Sequence, residues 1–465
     1  MRSRIVVLTI VAIVIQIGRA QAEATTQPEP IELRVHPMAL AEPALKARLL
    51  PSWTEQTPGN AAPLYFIAFS LVQSNSDSWD QKRSAEFDEL LDASIDDLDA
   101  EKATRFVLPH VFELLEIAGR RSRCEWDTAL KEQGYRALLP YLNHARTSAN
   151  LLSIQIKLDI KQGDFDHAIH MLRSGFAMAK HLEAEPILIQ CLVAAGIRER
   201  MLSDVRALIQ RPNAPNLYWP LADLYGSRDL WPRIMESERE ALFYTIPRLR
   251  HPDDLTAEQA RKVIEEVNGY MDQRGPDPQD ALGRDAATLL QIIRAYPLAR
   301  EALIRRGTPA AQVDAMPANA VVLAWYVDGF QRRADAMERW TCLPPWQALA
   351  GLRRESIVHR EGDDLNPLKQ LAPTVARAYL VFARADRERA LMQIVEAVRG
   401  YAAAHGGSAP ASLDDLSPET PAPPDPLLGK RFDYSVEHGV VTLHADAPPG
   451  EGQRSEAVFH IQIER

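Results

Sequence analysis

The chain has 465 residues, 46% hydrophobic and 25% charged, with a formal net charge of −10. This is globular composition with ample apolar mass for a core, and the acidic balance argues against nucleic acid or anionic lipid as the main partner, since both demand a basic field. Cys124, Cys191 and Cys342 are too few, and odd in number, for a disulfide framework. One pair could form, but small buried apolar residues inside helices account for all three.

The N-terminus reads as a secretory signal. Arg2 and Arg4 form a basic start, Ile5 to Ile17 an apolar stretch, and Ala20-Gln21-Ala22 a small-x-small cleavage site. Cleavage between Ala22 and Glu23 removes three arginines, so the mature charge becomes −10 − 3 = −13. The alternative is an uncleaved, membrane-tethering anchor, but the apolar stretch falls short of the roughly 20 residues that span a bilayer. No cysteine follows the apolar stretch at the cleavage point, which argues against a lipoprotein. The expected location is periplasmic or secreted, with no stable membrane span after cleavage.

Residues 23–36 read as a polar linker and residues 37–372 as one helical domain. Pro58-Gly59-Asn60 marks a turn before a helix starting at Leu64. Residues 83–93 and 100–118 are helical candidates, and helix capping explains the acidic run Asp92, Asp96, Asp97, Asp99, Glu101 better than a calcium loop does. In "LLSIQIKLDI", Ile154, Ile156, Leu158 and Ile160 alternate like a strand. The choice is still helix, because a lone strand here would leave its backbone groups without partners.

The stretch "KQGDFDHAI" closely resembles the joint between the two helices of a tetratricopeptide repeat. Gly163 and Asp164 stand in the turn, Phe165 and Ala168 on the second helix, and the resemblance spans about 147–181. It implies a helical hairpin in which small Ala168 lets the helices approach closely. No second copy at the 34-residue period is evident.

Further helices are expected at 186–210, at 257–273 after a capping box formed by Thr256 and Gln259, at 281–306 with a kink at Pro297, at 318–340, and from about Thr374 to His405. The last carries Arg384, Asp386, Arg387, Glu388 and Arg389 on an expected outer face. Residues 373–465 form a C-terminal unit: this helix plus about three antiparallel strands, "RFDYSVE", "VVTLHA" and "AVFHIQI", with a hairpin turn at Glu437-His438-Gly439. Phe432, Tyr434, Val441, Leu443, Phe459, Ile461 and Ile463 should share one face against Val395, Val398 and Tyr401. The fold class is therefore mainly α, an array of helical hairpins with a small α+β cap.

On Tyr401, Gly407, Pro410, Asp425-Pro426, Gly429 and Tyr434, the last 80 or so residues resemble the C-terminal half of type II secretion major pseudopilins. The helix here is charged and follows some 370 other residues, so the resemblance implies a pseudopilin-like module reused as a cap. On "LLPSWTEQTPGNAAPLY", "APNLYW" and "AVRGYAAAHGGSAPASLDDL", the whole chain resembles an uncharacterised family of large exported bacterial proteins. That likeness implies location and architecture, not a reaction.

No His-Glu-x-x-His, Gly-x-Ser-x-Gly, phosphate-binding glycine loop or paired Glu-x-x-His motif occurs in the sequence. His110 and Glu113 read as a surface pair. His167 and His170, beside Asp164 and Asp166, read as a polar face rather than metal ligands. Glu236, Glu238 and Glu240 point away from one another on a helix. Tyr218, Trp219, Tyr225 and Trp231 read as core rather than groove. No catalytic, metal or cofactor-binding residue is assigned. The expected function is a helical interaction or scaffold protein of the envelope with a protein partner. Two alternatives stand: an accessory of a pseudopilus-type secretion system, or a hydrolase whose site is assembled from distant residues.

Overall fold

A computed structural model describes residues 29–271, 281–358, 362–371, 375–452 and 455–464. The expected cleavage point at Ala22 and Glu23 lies outside the described residues. In chain order the main elements are β1 (Ile31–Val35), β2 (Thr57–Asn60), α1 (Ala62–Ser76), α2 (Gln81–Asp92), α3 (Ala100–Thr104), α4 (Pro109–Gly119) and β3 (Arg121–Arg123). Next come α5 (Tyr141–Gln162), α6 (Phe165–Leu182), α7 (Leu188–Leu208), α8 (Trp231–Thr245), α9 (Ala257–Met271) and α10 (Ala281–Arg305). The chain ends with α11 (Ala318–Thr341), α12 (Pro345–Ile357), α13 (Val375–Ala404), β4 (Asp433–Glu437), β5 (Val440–Ala445) and β6 (Ala457–Ile463). Mainly α with a small C-terminal sheet is what the sequence led us to expect.

These elements form two bodies: one of residues 29–127, 139–230 and 380–464, the other of residues 128–138 and 231–379. In the first, α5 is buried without a break from Leu151 through Ile160. This explains the strand-like alternation. With every face covered, polar and apolar residues alike are inside, and no amphipathic stripe remains to set a 3.6-residue period. Each buried polar residue has a partner. Lys157 donates to the carbonyls of Leu91 and Ala93, at the C-terminal end of α2, at 2.5 and 2.9 Å. Ser153 donates to Asp204, and Gln155 to Asp159.

At the α5–α6 joint, Gly163 adopts φ 80°, a left-handed cap conformation that favours glycine. The Asp164 carboxylate accepts the His167 amide at 3.1 Å and caps α6. Phe165 is half-buried and Ala168 fully buried. The candidate helix at 100–118 is two helices, α3 and α4, with a break before Pro109, which disfavours helical geometry at the preceding residue. Asp99 caps α3, Asp96 pairs with Arg211, and Asp97 bonds Ser94. Pro58-Gly59-Asn60, read as a turn, lies in β2, which pairs in parallel with β3.

The tail forms the expected antiparallel strands. Tyr434 faces Leu443, and Val441 and Leu443 face Ile461 and Phe459. His438 and Gly439, with φ of 50° and 83°, make the two-residue turn. A fourth strand comes from the stretch read as linker. There β1 pairs in parallel with β6, setting Leu33 against Ile461 and Val35 against Ile463. The order is β1-β6-β5-β4. Leu33, Val35, Val441, Leu443, Phe459 and Ile461 share one buried core with Val395 and Val398 of α13.

The second body has its own core from α8, α9, α10 and α11, including Val263, Val267, Ala295 and Tyr326. Thr256 and Gln259 form the expected capping box before α9, with bonds of 3.0 and 3.3 Å. Pro297 lies within a continuous α10.

Candidate functional site: the polar spine of α13 and the groove beside it

The charged residues of α13 do not form an outer face. Asp386 and Arg387 are buried, and further along Glu396 and Arg399 have no exposed surface at all. Burying a charge is unfavourable unless it is paired and hydrogen-bonded, so each of these residues marks a place where other chain segments are gripped.

Three grips lie along the helix. Arg399 holds both oxygens of Glu396, at 2.7 and 3.0 Å, and donates to the carbonyls of His36 and Ala214 at 3.0 and 2.8 Å. Burial pushes the Glu396 carboxyl up, against the pull of Arg399. Asn216 donates to the Glu396 carbonyl at 2.9 Å. Thus "APNLYW" and "AVRGY", quoted above for a family likeness, meet at one buried node. Arg387 grips Asp425, the aspartate of the Asp-Pro turn, and donates to the Ser455 carbonyl at 2.8 Å. Asp386 accepts both the amide and the hydroxyl of Ser227, at 3.1 and 2.7 Å.

Beside the spine, α7, α13 and the start of β6 line a groove of about 640 Å³. Ile31 is half-buried at its wall, Leu391 and Phe459 lie buried beneath it, and its charged residues include Arg200, Arg206, Arg384 and Glu388. Arg206 and Glu388 pair at 2.8 Å, joining α7 to α13. Burial raises the Glu388 carboxyl, with Arg206 opposing it.

The histidines weighed as a metal pair turn to different acids. His167 Nδ1 lies 2.7 Å from Asp159, and His170 Nε2 lies 3.0 Å from Glu116. His110 and Glu113 are an exposed pair at 4.0 Å. Glu240 pairs with Arg250. Among the described residues, Asp433, His444 and Asp446 bring ligand-type atoms within 4.8 Å of one another. Lys430 already supplies a cation there, donating to Asp446 at 2.6 Å and holding its carboxyl below the usual range.

Tyr218 and Trp231 are fully buried, and Trp219 and Tyr225 half-buried, as a core reading requires. None of the three cysteines is in a disulfide: Cys124 and Cys191 are buried and Cys342 is exposed, and Cys124 lies outside the helices. The sequence reading missed His181. Its ring is fixed between the Tyr65 hydroxyl at 2.9 Å and the Arg121 carbonyl at 3.2 Å, and burial pushes its pKa down to about 4. Among the described residues no helix is long and apolar enough to cross a membrane. No protein-family model, curated protein or solved structure matches the chain.

Proposed function

We propose that the chain is an exported protein of the cell envelope that works by binding another protein in the groove between α7, α13 and β6. The observation that supports this reading is the groove's make-up: the half-buried Ile31 beside arginines and glutamates that can orient a partner. The signal-like N-terminus and the tetratricopeptide-like joint point the same way, towards an exported helical interaction protein.

A photo-crosslinking side chain placed at Ser203, in the groove, tests the reading. It should capture one defined partner in cells. The same group at Glu101, an exposed residue of α3, should not. Arg200→Glu should abolish the capture. A Ser203 probe that captures nothing, or the same proteins as the Glu101 probe, sinks the reading. Export is tested separately by cell fractionation and N-terminal sequencing.

A second reading, an accessory of a pseudopilus-type secretion system, is favoured by β4. It is the outer strand of its sheet and mostly exposed, so its free edge suits the addition of a partner strand. Proline substitution at Ser435 should abolish partner binding on that reading and leave groove binding intact.

A further inference from the structure

We propose that a small pocket bounded by Arg198, Tyr225 and Arg389 binds a monovalent anion of halide size. Its walls come from α6, α7, α13 and the segment after Leu221, with apolar surface from Phe176, Leu202 and Leu224. The cavity is about 10 Å³, room for a single small sphere.

Among the described residues, three N–H donors here lack a hydrogen-bond acceptor: Arg198 Nε, Arg198 Nη2 and Arg389 Nε. The Arg198 side chain is only 6% exposed. Arg198 Nη2 lies 3.2 Å from Glu183 Oε1, but neither atom completes a hydrogen bond. Buried donors without acceptors are rare in folded proteins and carry a desolvation penalty.

The charges around the pocket leave a positive surplus. Arg198 and Arg389 face it, and the Lys180 ammonium lies 5.6 Å from the Tyr225 ring. Against these three cations stand two carboxylates, Glu183 and Asp386, giving 3 − 2 = +1. Asp386 is already engaged by Ser227. The Tyr225 hydroxyl is kept protonated by burial and by the neighbouring Glu183 charge, so it adds a neutral O–H rather than a negative charge.

A water molecule would accept hydrogen bonds from two of the three N–H groups. A halide accepts from all three and also neutralises the surplus. Burial disfavours the charged form of Arg389, and an anion beside it opposes that effect.

The test uses the full chain. Thermal unfolding is followed in sodium chloride and in sodium gluconate at equal ionic strength, and crystals are soaked in bromide. The expected result is a saturable rise in melting temperature with chloride and with bromide but not gluconate. An anomalous bromide peak should lie within hydrogen-bond distance of Arg198 and Arg389. Arg389→Gln should lose the halide-dependent rise. Should that variant not fold, the bromide peak in the unmodified chain decides alone. Equal melting in chloride and gluconate, or a water in place of the bromide peak, overturns the proposal.

Discussion

Arg387 and Asp425 form a two-pronged ion pair, with Nε to Oδ1 at 3.0 Å and Nη2 to Oδ2 at 2.6 Å. Both side chains are almost wholly buried. The pair ties the Asp-Pro turn of the tail to the middle of α13. The remaining lone pairs of Asp425 are also used, since Oδ1 accepts the Leu427 amide at 2.7 Å. Removing one partner leaves the other charge buried and unpaired. We expect Asp425→Ala to destabilise the protein by about 3–5 kcal/mol. The double variant Arg387→Met/Asp425→Leu should be less destabilised than Asp425→Ala alone. Urea unfolding checks both, and an additive double variant would show that the pair is not coupled.

Acid should weaken the protein through His181. Its folded pKa of about 4 lies below the ordinary 6.5, first because of burial. A depressed histidine pKa means that the fold holds the neutral ring, donating from Nε2 to the Arg121 carbonyl and accepting from Tyr65. The contribution is therefore fully present above pH 6.5 and is lost as pH falls from 6.5 towards 4, by about 3 kcal/mol. The stability difference between the native chain and His181→Phe, measured at pH 7.5, 5.5 and 4, should narrow as pH falls. A constant difference would refute it.

Asp204 acts in the opposite sense. Burial raises its pKa from 3.8 to about 7, and among the described residues only Ser153 hydrogen-bonds to it. The neutral acid is the form that the fold favours. Its contribution is present below pH 3.8 and is lost as pH rises to about 7, by about 4 kcal/mol. Asp204→Asn should thus be stabilising relative to the native chain at pH 8 and close to neutral at pH 4. Paired urea titrations at these two pH values measure this.

Ala168 has no exposed surface at the joint of α5 and α6. Ala168→Trp should overpack that contact and cost about 1–3 kcal/mol or more. An unchanged melting temperature would place the indole in solvent and remove the close-approach argument.

Ending the chain at Gly407 removes β4, β5 and β6. It then uncovers Leu33 and Val35 of β1 as well as Val395 and Val398 of α13. The truncated protein should aggregate, because a contiguous apolar face is left in water. Light scattering and gel filtration report this; a monomer with unchanged melting temperature would show that the sheet is detachable.

Much of the local structure was legible in the sequence because its causes are local. Gly163 and Asp164 stop one helix and start the next through their own backbone and side chain, and Thr256 and Gln259 cap α9 from three residues apart. Period-two alternation gave the three tail strands, since one face of each is buried. The rest depended on residues far apart in the chain. Glu32 of β1 faces His460 of β6 across 428 positions, and nothing in a short polar segment announces that partner. A buried charge is spelled like a solvated one, so Asp386 and Arg387 read as an outer face until Ser227 and Asp425 were brought against them. The candidate site was least legible for the same reason. Arg399 acquires its role only when the carbonyls of His36 and Ala214 arrive beside it, and only the tertiary structure decides which distant segment supplies the acceptor that a buried cation requires.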